Sequence, residues 1–94
     1  MRFEWDAIKA SANLAKHGVS FDEAMEVFYD PNALERYDRL HSIDESRFLI
    51  VGLSSRRLLN IAYAEQAEGT VRLISARKAN ASERELYERR RRMV

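Results

Sequence analysis

The segment from Val71 to Arg92 constrains the fold more than any other, because it joins a predicted strand directly to a predicted helix. Residues 71–78 are rich in β-branched and aliphatic side chains, which favours a strand. Asn80 can cap the following helix through its side-chain oxygen, and Glu83 can complete a capping box. The end of the strand and the start of the helix are therefore fixed close together.

Four polar or charged side chains collect at this junction. Arg77 and Lys78 are consecutive at the end of the strand, so they should point to opposite faces of the sheet. Glu83 and Tyr87 should share one face of the helix, because residues four apart lie one turn above each other. A guanidinium, an ammonium, a carboxylate and a phenol near one sheet edge predict a phosphate-binding site.

The N-terminal part of the chain predicts a short strand at residues 2–5, followed by a helix. Asp6 can cap a helix that runs to about Lys16, and Gly18 supplies the left-handed residue that ends it. The predicted buried stripe of this helix consists of Ile8, Ala12 and Ala15. A polar row on another face consists of Lys9, Asn13 and Lys16. That row is either solvated or lines a groove that contacts phosphate or a partner.

A second helix and three further strands complete the pattern. Ser20 and Glu23 form a capping box at the start of the helix, and Asp30-Pro31 ends it. Its core stripe consists of Phe21, Ala24, Met25 and Phe28. The strands are predicted at residues 33–37, 47–53 and 58–65, with a polar loop at 38–46. Short turns between consecutive strands favour antiparallel pairing. We expect an α+β fold: a small antiparallel sheet with two N-terminal helices and one C-terminal helix, all packed on one face.

Length and composition predict one domain, residues 1–94, with a single modest core. The chain has no Cys, no apolar run of membrane-spanning length and no signal-peptide pattern, so we expect a cytoplasmic location. Its charge is segregated. Residues 1–46 hold five Lys/Arg against ten Asp/Glu, whereas residues 72–94 hold eight against three. The basic end suits a polyanion or an acidic partner, although Arg89–Arg92 alone can equally be a solvated tail.

The residue supply excludes several mechanisms. With no Cys and only two His, the chain lacks the clustered ligands of a zinc site, and its three glycines are too far apart for a nucleotide-binding loop. The later strands also lack the converging acids of a two-metal nuclease. We therefore expect neither a metal nor a cofactor.

RNA cleavage without a metal remains possible, because RNA supplies its own 2′-hydroxyl nucleophile. The protein then has to position the phosphate, move protons and stabilise the negative charge of the transition state. Arg77 is the first candidate for that last role and Arg57 the second, since a guanidinium binds phosphate oxygens bidentately. The candidates for proton transfer are Glu83, His17, Lys78 and Tyr87.

Each candidate also has a structural interpretation. Glu83 can serve only as a capping-box residue, and Tyr87 can pack the helix against the sheet. His17, directly before Gly18, can favour the helix C-terminus through its charge. Tyr63 can stack on an RNA base or pack in the core.

Short motifs recur in order along nearly the whole chain. They are Phe3-Glu-Trp-Asp6, Lys9, Asn13, Lys16-His-Gly-Val-Ser-Phe21, Asp30-Pro31, Asp38, His41, Arg47-Phe-Leu-Ile50, Ile74-Ser-Ala-Arg-Lys-Ala79, Glu83-Arg84 and Tyr87. With these motifs the chain resembles the BrnT family, the toxin halves of bacterial type II toxin–antitoxin pairs.

This resemblance implies a RelE-like fold and an endoribonuclease that cleaves RNA and inhibits translation. It also implies a BrnA-like antitoxin that neutralises the toxin in a hetero-oligomer and brings it to operator DNA. The matching positions are Lys9, Asn13, Lys16, His17, Arg47, Arg57, Glu65, Arg77, Glu83, Arg84 and Tyr87. We expect RNA to be bound by Lys9, Lys16, Lys78, Arg84 and Tyr63.

The chain departs from the family pattern at three positions. Arg56 stands where the family often has Gly, and Asn60 and Tyr63 stand where it often has Val or His. These departures leave the turn shape and the roles of Arg57 and Tyr63 open. A second function class therefore also stays open: a non-catalytic nucleic-acid or protein-binding module that uses the basic C-terminal helix.

Overall fold

The computed structural model describes residues 1–93; Val94, the last residue of the predicted domain, lies outside the described part. Its strands are β1 (Arg2–Glu4), β2 (Leu34–Tyr37), β3 (Arg47–Leu53), β4 (Leu58–Glu65) and β5 (Thr70–Lys78). Its helices are α1 (Ala7–His17), α2 (Phe21–Val27) and α3 (Ala81–Met93). Two short 3₁₀ turns, Arg39–His41 and Ala67–Gly69, lie in segments predicted as loops or turns.

The five strands form one sheet in the order β1-β5-β4-β3-β2. The four later strands pair antiparallel with one another, as their short connections predicted. Strand β1 instead pairs in parallel with β5. Two helices separate β1 from the next strand, so the short-turn argument does not apply to it. The α+β class is confirmed, and the sheet is mixed at one edge.

The main core lies between α1, α2 and one face of the sheet. Phe21 and Ala24 of the predicted α2 stripe are buried there, and Met25 and Phe28 pack against them. The ring of Tyr63 contacts Phe28 edge-on at 5.0 Å and stacks on Phe48 at 5.6 Å. Aromatic packing of this kind stabilises the core beyond the area that it buries.

Helix α3 packs on the other face, so the expectation that all helices share one face is wrong. Ile50 and Leu59 belong to the main core, whereas their chain neighbours Val51 and Leu58 pack against Tyr87 of α3. Successive strand residues point to opposite faces, which places α3 opposite α1 and α2. One helix alone leaves part of this second face open.

The predicted buried stripe of α1 is also wrong, since Ile8 is 81% exposed and both Ala12 and Ala15 face solvent. The helix instead turns the row of Ala10, Asn13 and His17 towards the sheet. Small and moderately apolar side chains determine a helix orientation only weakly, because they gain little by burial. The orientation follows from the hydrogen bonds of Asn13.

The side chain of Asn13 takes the place of a missing strand neighbour. Strand β1 pairs with β5 only as far as Arg72, opposite Glu4. Further along β5, the Oδ1 atom of Asn13 accepts from the backbone N–H of Ala76 at 3.0 Å. Its Nδ2 atom donates to the carbonyl of Ala76 and to that of Val19, both at 2.9 Å. This amide therefore fixes α1 against the edge of β5.

No helix among residues 1–93 combines the length and the hydropathy needed to span a membrane.

We predict that Asn13→Ala lowers the free energy of unfolding by about 3 kcal/mol, because it removes these bonds and leaves buried backbone groups unpaired. Urea denaturation measures the change. Lys16→Ala, in the same predicted polar row but exposed, is the control and should stay within about 0.5 kcal/mol. Equal small losses for both variants would contradict the role of Asn13.

Candidate functional site

Arg77 and Glu83 form a bidentate ion pair on the α3 face of the sheet. The Nη1 atom of Arg77 donates to Oε1 of Glu83 at 2.9 Å, and its Nη2 atom donates to Oε2 at 2.8 Å. Nη1 also donates to the carbonyl of Lys78 at 3.0 Å. The Arg77 side chain is 41% exposed, whereas that of Glu83 is 10% exposed. The pair thus presents an oriented guanidinium to solvent above a buried carboxylate.

The carboxylate of Glu83 joins three elements. It accepts from the backbone N–H of Asn80 at 2.8 Å and from the side-chain amide of Asn60, in addition to Arg77. The Glu83 N–H donates to Oδ1 of Asn80, so the predicted capping box is present. Burial raises the pKa of Glu83, but the hydrogen bonds from Arg77, Asn80 and Asn60 outweigh burial and hold that pKa below 4.5. Glu83 is therefore an ionised anchor and a weak base.

Tyr87, one turn after Glu83, is fully buried and faces the same side of α3, as predicted. Its hydroxyl donates to Oδ2 of Asp30 at 2.6 Å. Burial and this bond to Asp30 raise the pKa of Tyr87 to about 12. A phenol so placed has no free role in proton transfer near neutral pH. It fastens α3 to the turn after α2.

Asp30, which is half-buried, is a second anchor. Besides the Tyr87 hydroxyl, it accepts from the backbone N–H of Leu53 at 2.8 Å and of Asn32 at 2.9 Å. Burial raises the pKa of Asp30, but these hydrogen bonds outweigh burial and hold the pKa below 3.8. The sequence pattern at Asp30 had indicated only the end of a helix.

A groove of about 360 Å³ opens between α3 and the strands β2 and β3. Its residues are Leu34, Glu35, Arg36, Leu49, Val51, Asn80, Ser82, Glu83 and Leu86. We call it the α3 groove. Because Glu83 lies in its wall and binds Arg77, the groove connects an apolar surface to the oriented guanidinium.

Arg57 forms a second clamp on the opposite face. Its Nε and Nη2 atoms donate to Glu23 of α2 at 3.0 and 2.9 Å, and Nη2 also donates to the carbonyl of Gly18 at 2.8 Å. The hydrogen bond from Arg57 is the largest cause that holds the pKa of Glu23 below 4.5. Ser20 caps α2 as predicted, because its Oγ accepts from the Glu23 N–H at 3.1 Å, but the Glu23 side chain binds Arg57 and does not complete the predicted capping box. The structure does not bring Arg57 and Arg77 together.

The remaining predicted site residues are scattered. His17 lies half-buried at the end of α1, and among residues 1–93 no hydrogen bond links it to either arginine clamp. Lys9, Lys16, Lys78 and Arg84 are exposed. Tyr63 is 0% exposed within the aromatic core, so its ring is not accessible to an RNA base. Its hydroxyl lacks a hydrogen-bond partner among the described residues.

Asn60 is the residue that sequence reasoning missed. It is 3% exposed and lies directly opposite Arg77 in the pairing of β4 with β5. Its signal was a lone amide in the otherwise apolar stretch Leu58–Ala64, which indicates a buried polar partner. That partner, Glu83, lies 23 residues away and could not be assigned from spacing.

Among residues 1–93, no three His, Asp or Glu side chains come together in a group that could hold a metal ion.

The sequence model of the ribonuclease toxin BrnT, of type II toxin–antitoxin systems, matches residues 5–83. The chain belongs to the BrnT family. The resemblance predicted from its motifs is therefore confirmed, and the matched range includes Arg57, Arg77 and Glu83 while Arg84 and Tyr87 lie beyond it. No curated protein matches the chain.

The crystal structure of the Brucella abortus ribonuclease toxin BrnT is similar in fold. It superimposes with a TM-score of 0.65 at 23% sequence identity, covering 85% of this chain and 97% of the Brucella chain. At that identity the likeness supports the BrnT fold alone. The chemistry has to be inferred from the residues of this chain.

We predict that Glu83→Gln lowers the free energy of unfolding at neutral pH and that this difference shrinks on acidification. The folded-state pKa of Glu83 lies below 4.5, so its contribution is complete above that value and is lost as the pH falls through the folded pKa. Urea denaturation between about pH 7 and about pH 3 measures it.

Glu85→Gln is the matched control on the same helix, since Glu85 is exposed and its ion pair is with Arg89. Its difference should stay within about 0.5 kcal/mol throughout. A Glu83→Gln difference that is constant or grows with acid would show that the carboxylate is not the stabilising group.

Proposed function

We propose that this chain is a metal-independent endoribonuclease that cleaves RNA, with Arg77 binding the scissile phosphate. The observation that supports this proposal is the half-exposed Arg77 guanidinium, held by two nitrogens on the ionised Glu83. The orientation is set before substrate arrives, and preorganised charge is the main source of transition-state stabilisation in such sites. Membership of a ribonuclease toxin family supports RNA as the substrate.

In the proposed reaction, the 2′-hydroxyl of one nucleotide attacks the adjacent phosphorus, and the bond from phosphorus to the 5′-oxygen breaks. The proton of the 2′-hydroxyl goes to a base, and an acid supplies a proton to the departing 5′-oxygen. The products are a cyclic phosphate and a free 5′-hydroxyl. Arg77 stabilises the extra negative charge on the phosphate oxygens, while Glu83 orients the guanidinium.

Of the four candidates for proton transfer, His17 and Lys78 remain in the proposal, although no hydrogen bond joins either side chain to the Arg77–Glu83 pair in the described part of the chain. Glu83 and Tyr87 are each held by hydrogen bonds, and their pKa values lie on the wrong side of neutral for exchanging a proton. His17 and Lys78 keep their side-chain nitrogens without a hydrogen-bond partner in the described part of the chain. Arg57 is proposed to fix the α1–α2 junction that carries His17.

RNA binding away from the cleaved bond is proposed for the exposed cations Lys9, Lys16 and Arg84. They require no base-specific contact, because phosphate contacts position a strand without reading its sequence. Tyr63 is not part of this proposal, since its ring is buried.

The proposed biological role is that of a cytoplasmic toxin that inhibits translation by cutting RNA. A BrnA-like antitoxin is proposed to neutralise it in a hetero-oligomer, and the toxin reaches operator DNA only through that complex. Membership of a type II toxin–antitoxin family supports an antitoxin partner.

A non-catalytic binding module is the second candidate function. The observation that favours it is the row Arg89–Arg92, which is exposed along the end of α3. Binding through such a row depends on charge alone, so it weakens evenly with each arginine removed and falls steeply with salt.

We predict that Arg77→Ala lowers the rate of RNA cleavage by roughly 10²- to 10³-fold, the usual loss when one preorganised donor is removed. Purified protein and synthetic RNA give the rate, and induced expression in cells gives growth arrest and RNA integrity. Arg77→Lys keeps the charge without the bidentate fork and should also be strongly impaired. Wild-type cleavage should persist in EDTA.

Arg89→Ala is the matched control, because Arg89 is exposed and pairs with Glu85 on the same helix. It should keep the wild-type rate. The double variant Arg77→Met/Glu83→Gln avoids leaving a buried carboxylate unpaired. Circular dichroism should show that it is folded, and the cleavage assay should show that it is inactive. If wild-type protein neither cuts RNA nor slows growth, the enzyme proposal is wrong and the binding module is the remaining candidate function.

A further inference from the structure

The two faces of the sheet are covered unequally. Helices α1 and α2 both pack on one face, while α3 is the only helix on the other among residues 1–93. The floor of the α3 groove is aliphatic, formed by Leu34, Leu49 and Val51. Strand β2 is the edge of the sheet on this side, so no further strand closes the groove. The uncovered area beside α3 therefore has the shape of a helix-binding groove.

Helix α3 exposes apolar side chains that are not buried in the core of the protein. Leu86 lies in the groove wall and is 47% exposed, and Met93, seven residues later, is exposed as well. Residues seven apart lie on one side of a helix and form a typical contact row for a neighbouring helix. Tyr87 is the one α3 residue that enters a buried apolar cluster in the part of the chain that the structure describes. The helix therefore has a second apolar side available for a partner.

The borders of the groove are basic. Arg36 lines it from β2, and Arg90 is exposed on α3 one turn beyond Leu86. Glu35 is the one groove carboxylate apart from the paired Glu83 in the described part of the chain. Complementary charge on a partner is thus acidic.

The lining favours a protein segment over RNA. Unpaired bases are bound by stacking on aromatic rings, and none of the residues that line the α3 groove is aromatic. Aliphatic side chains beside basic borders instead match an amphipathic helix, which lays its apolar stripe in a groove.

We propose that the α3 groove is the docking site for one amphipathic helix of the cognate antitoxin, with an apolar stripe flanked by acidic side chains. This inference rests on the proposed function for the identity of the partner. A helix seated there covers Glu83 and the approach to Arg77. The antitoxin thereby excludes RNA from the phosphate-binding guanidinium without contacting Arg77 itself.

The test compares Leu86→Arg with Ile8→Arg, its control. Both residues are exposed and apolar, but Ile8 lies on α1, away from the groove. Calorimetry measures the binding of each variant to the purified antitoxin of the same operon, and circular dichroism checks folding. Leu86→Arg should weaken binding by at least about tenfold, as expected for a central interface residue, whereas Ile8→Arg should bind as wild type does.

A second variant tests the acidic flank. Arg36→Glu reverses one border charge and should weaken antitoxin binding about tenfold at low salt, with a smaller effect at high salt. Unchanged affinity for this variant would overturn the acidic flank, and unchanged affinity for Leu86→Arg would overturn the docking site.

If the α3 groove binds something other than the antitoxin helix, the same variants give different results. If Leu86→Arg weakens RNA binding and leaves antitoxin binding intact, the groove belongs to RNA and the proposal is wrong. It is equally wrong if light scattering shows a wild-type dimer that Leu86→Arg dissociates, or if wild-type protein does not bind the antitoxin. Wild-type RNA cleavage, measured in parallel, reports separately on the proposed function.

Discussion

The carboxylate of Glu83 is the contact on which the second half of the fold depends. It joins Arg77 of β5, Asn60 of β4 and the first turn of α3 through one nearly buried group. A buried carboxylate is costly unless it is paired and hydrogen-bonded, and here each oxygen accepts from two donors. The register of two strands, the start of a helix and the direction of the guanidinium proposed to bind phosphate are thereby coupled.

The same chemistry occurs twice, with different consequences. Arg57 binds Glu23 as Arg77 binds Glu83, but its side chain is 22% exposed and it also bonds the Gly18 carbonyl, so its donors are directed into the fold. Arg77 ends a strand beside an open groove and is nearly twice as exposed. Residue type alone therefore does not separate an arginine directed into the fold from one that is proposed to bind phosphate; the separation depends on what covers each guanidinium.

Local patterns predicted most of the elements, and long-range polar contacts account for what they missed. The bounds of β3 and β4 follow from runs of apolar residues between turn residues, and the capping box at Asn80 needs only neighbours in sequence. The orientation of α1 depends on Asn13 bonding Ala76, 63 residues away, and the site depends on Asn60 reaching Glu83. Spacing along the chain contains no information on such pairs, so Asn13, which anchors a helix, was predicted to be either solvated or part of a groove that contacts phosphate or a partner.

The weak packing of α3 links stability to partner binding. Its attachment consists of the Glu83 contacts, the bond from Tyr87 to Asp30 and a small apolar cluster, while Leu86 remains half in solvent. A partner that binds only the folded form stabilises it by an amount that grows with the logarithm of its concentration relative to the dissociation constant. Any protein that fills the α3 groove must therefore also stabilise α3, and with it the capping box that orients Arg77. Occupation of the groove would thus protect the arrangement of the site while preventing its use.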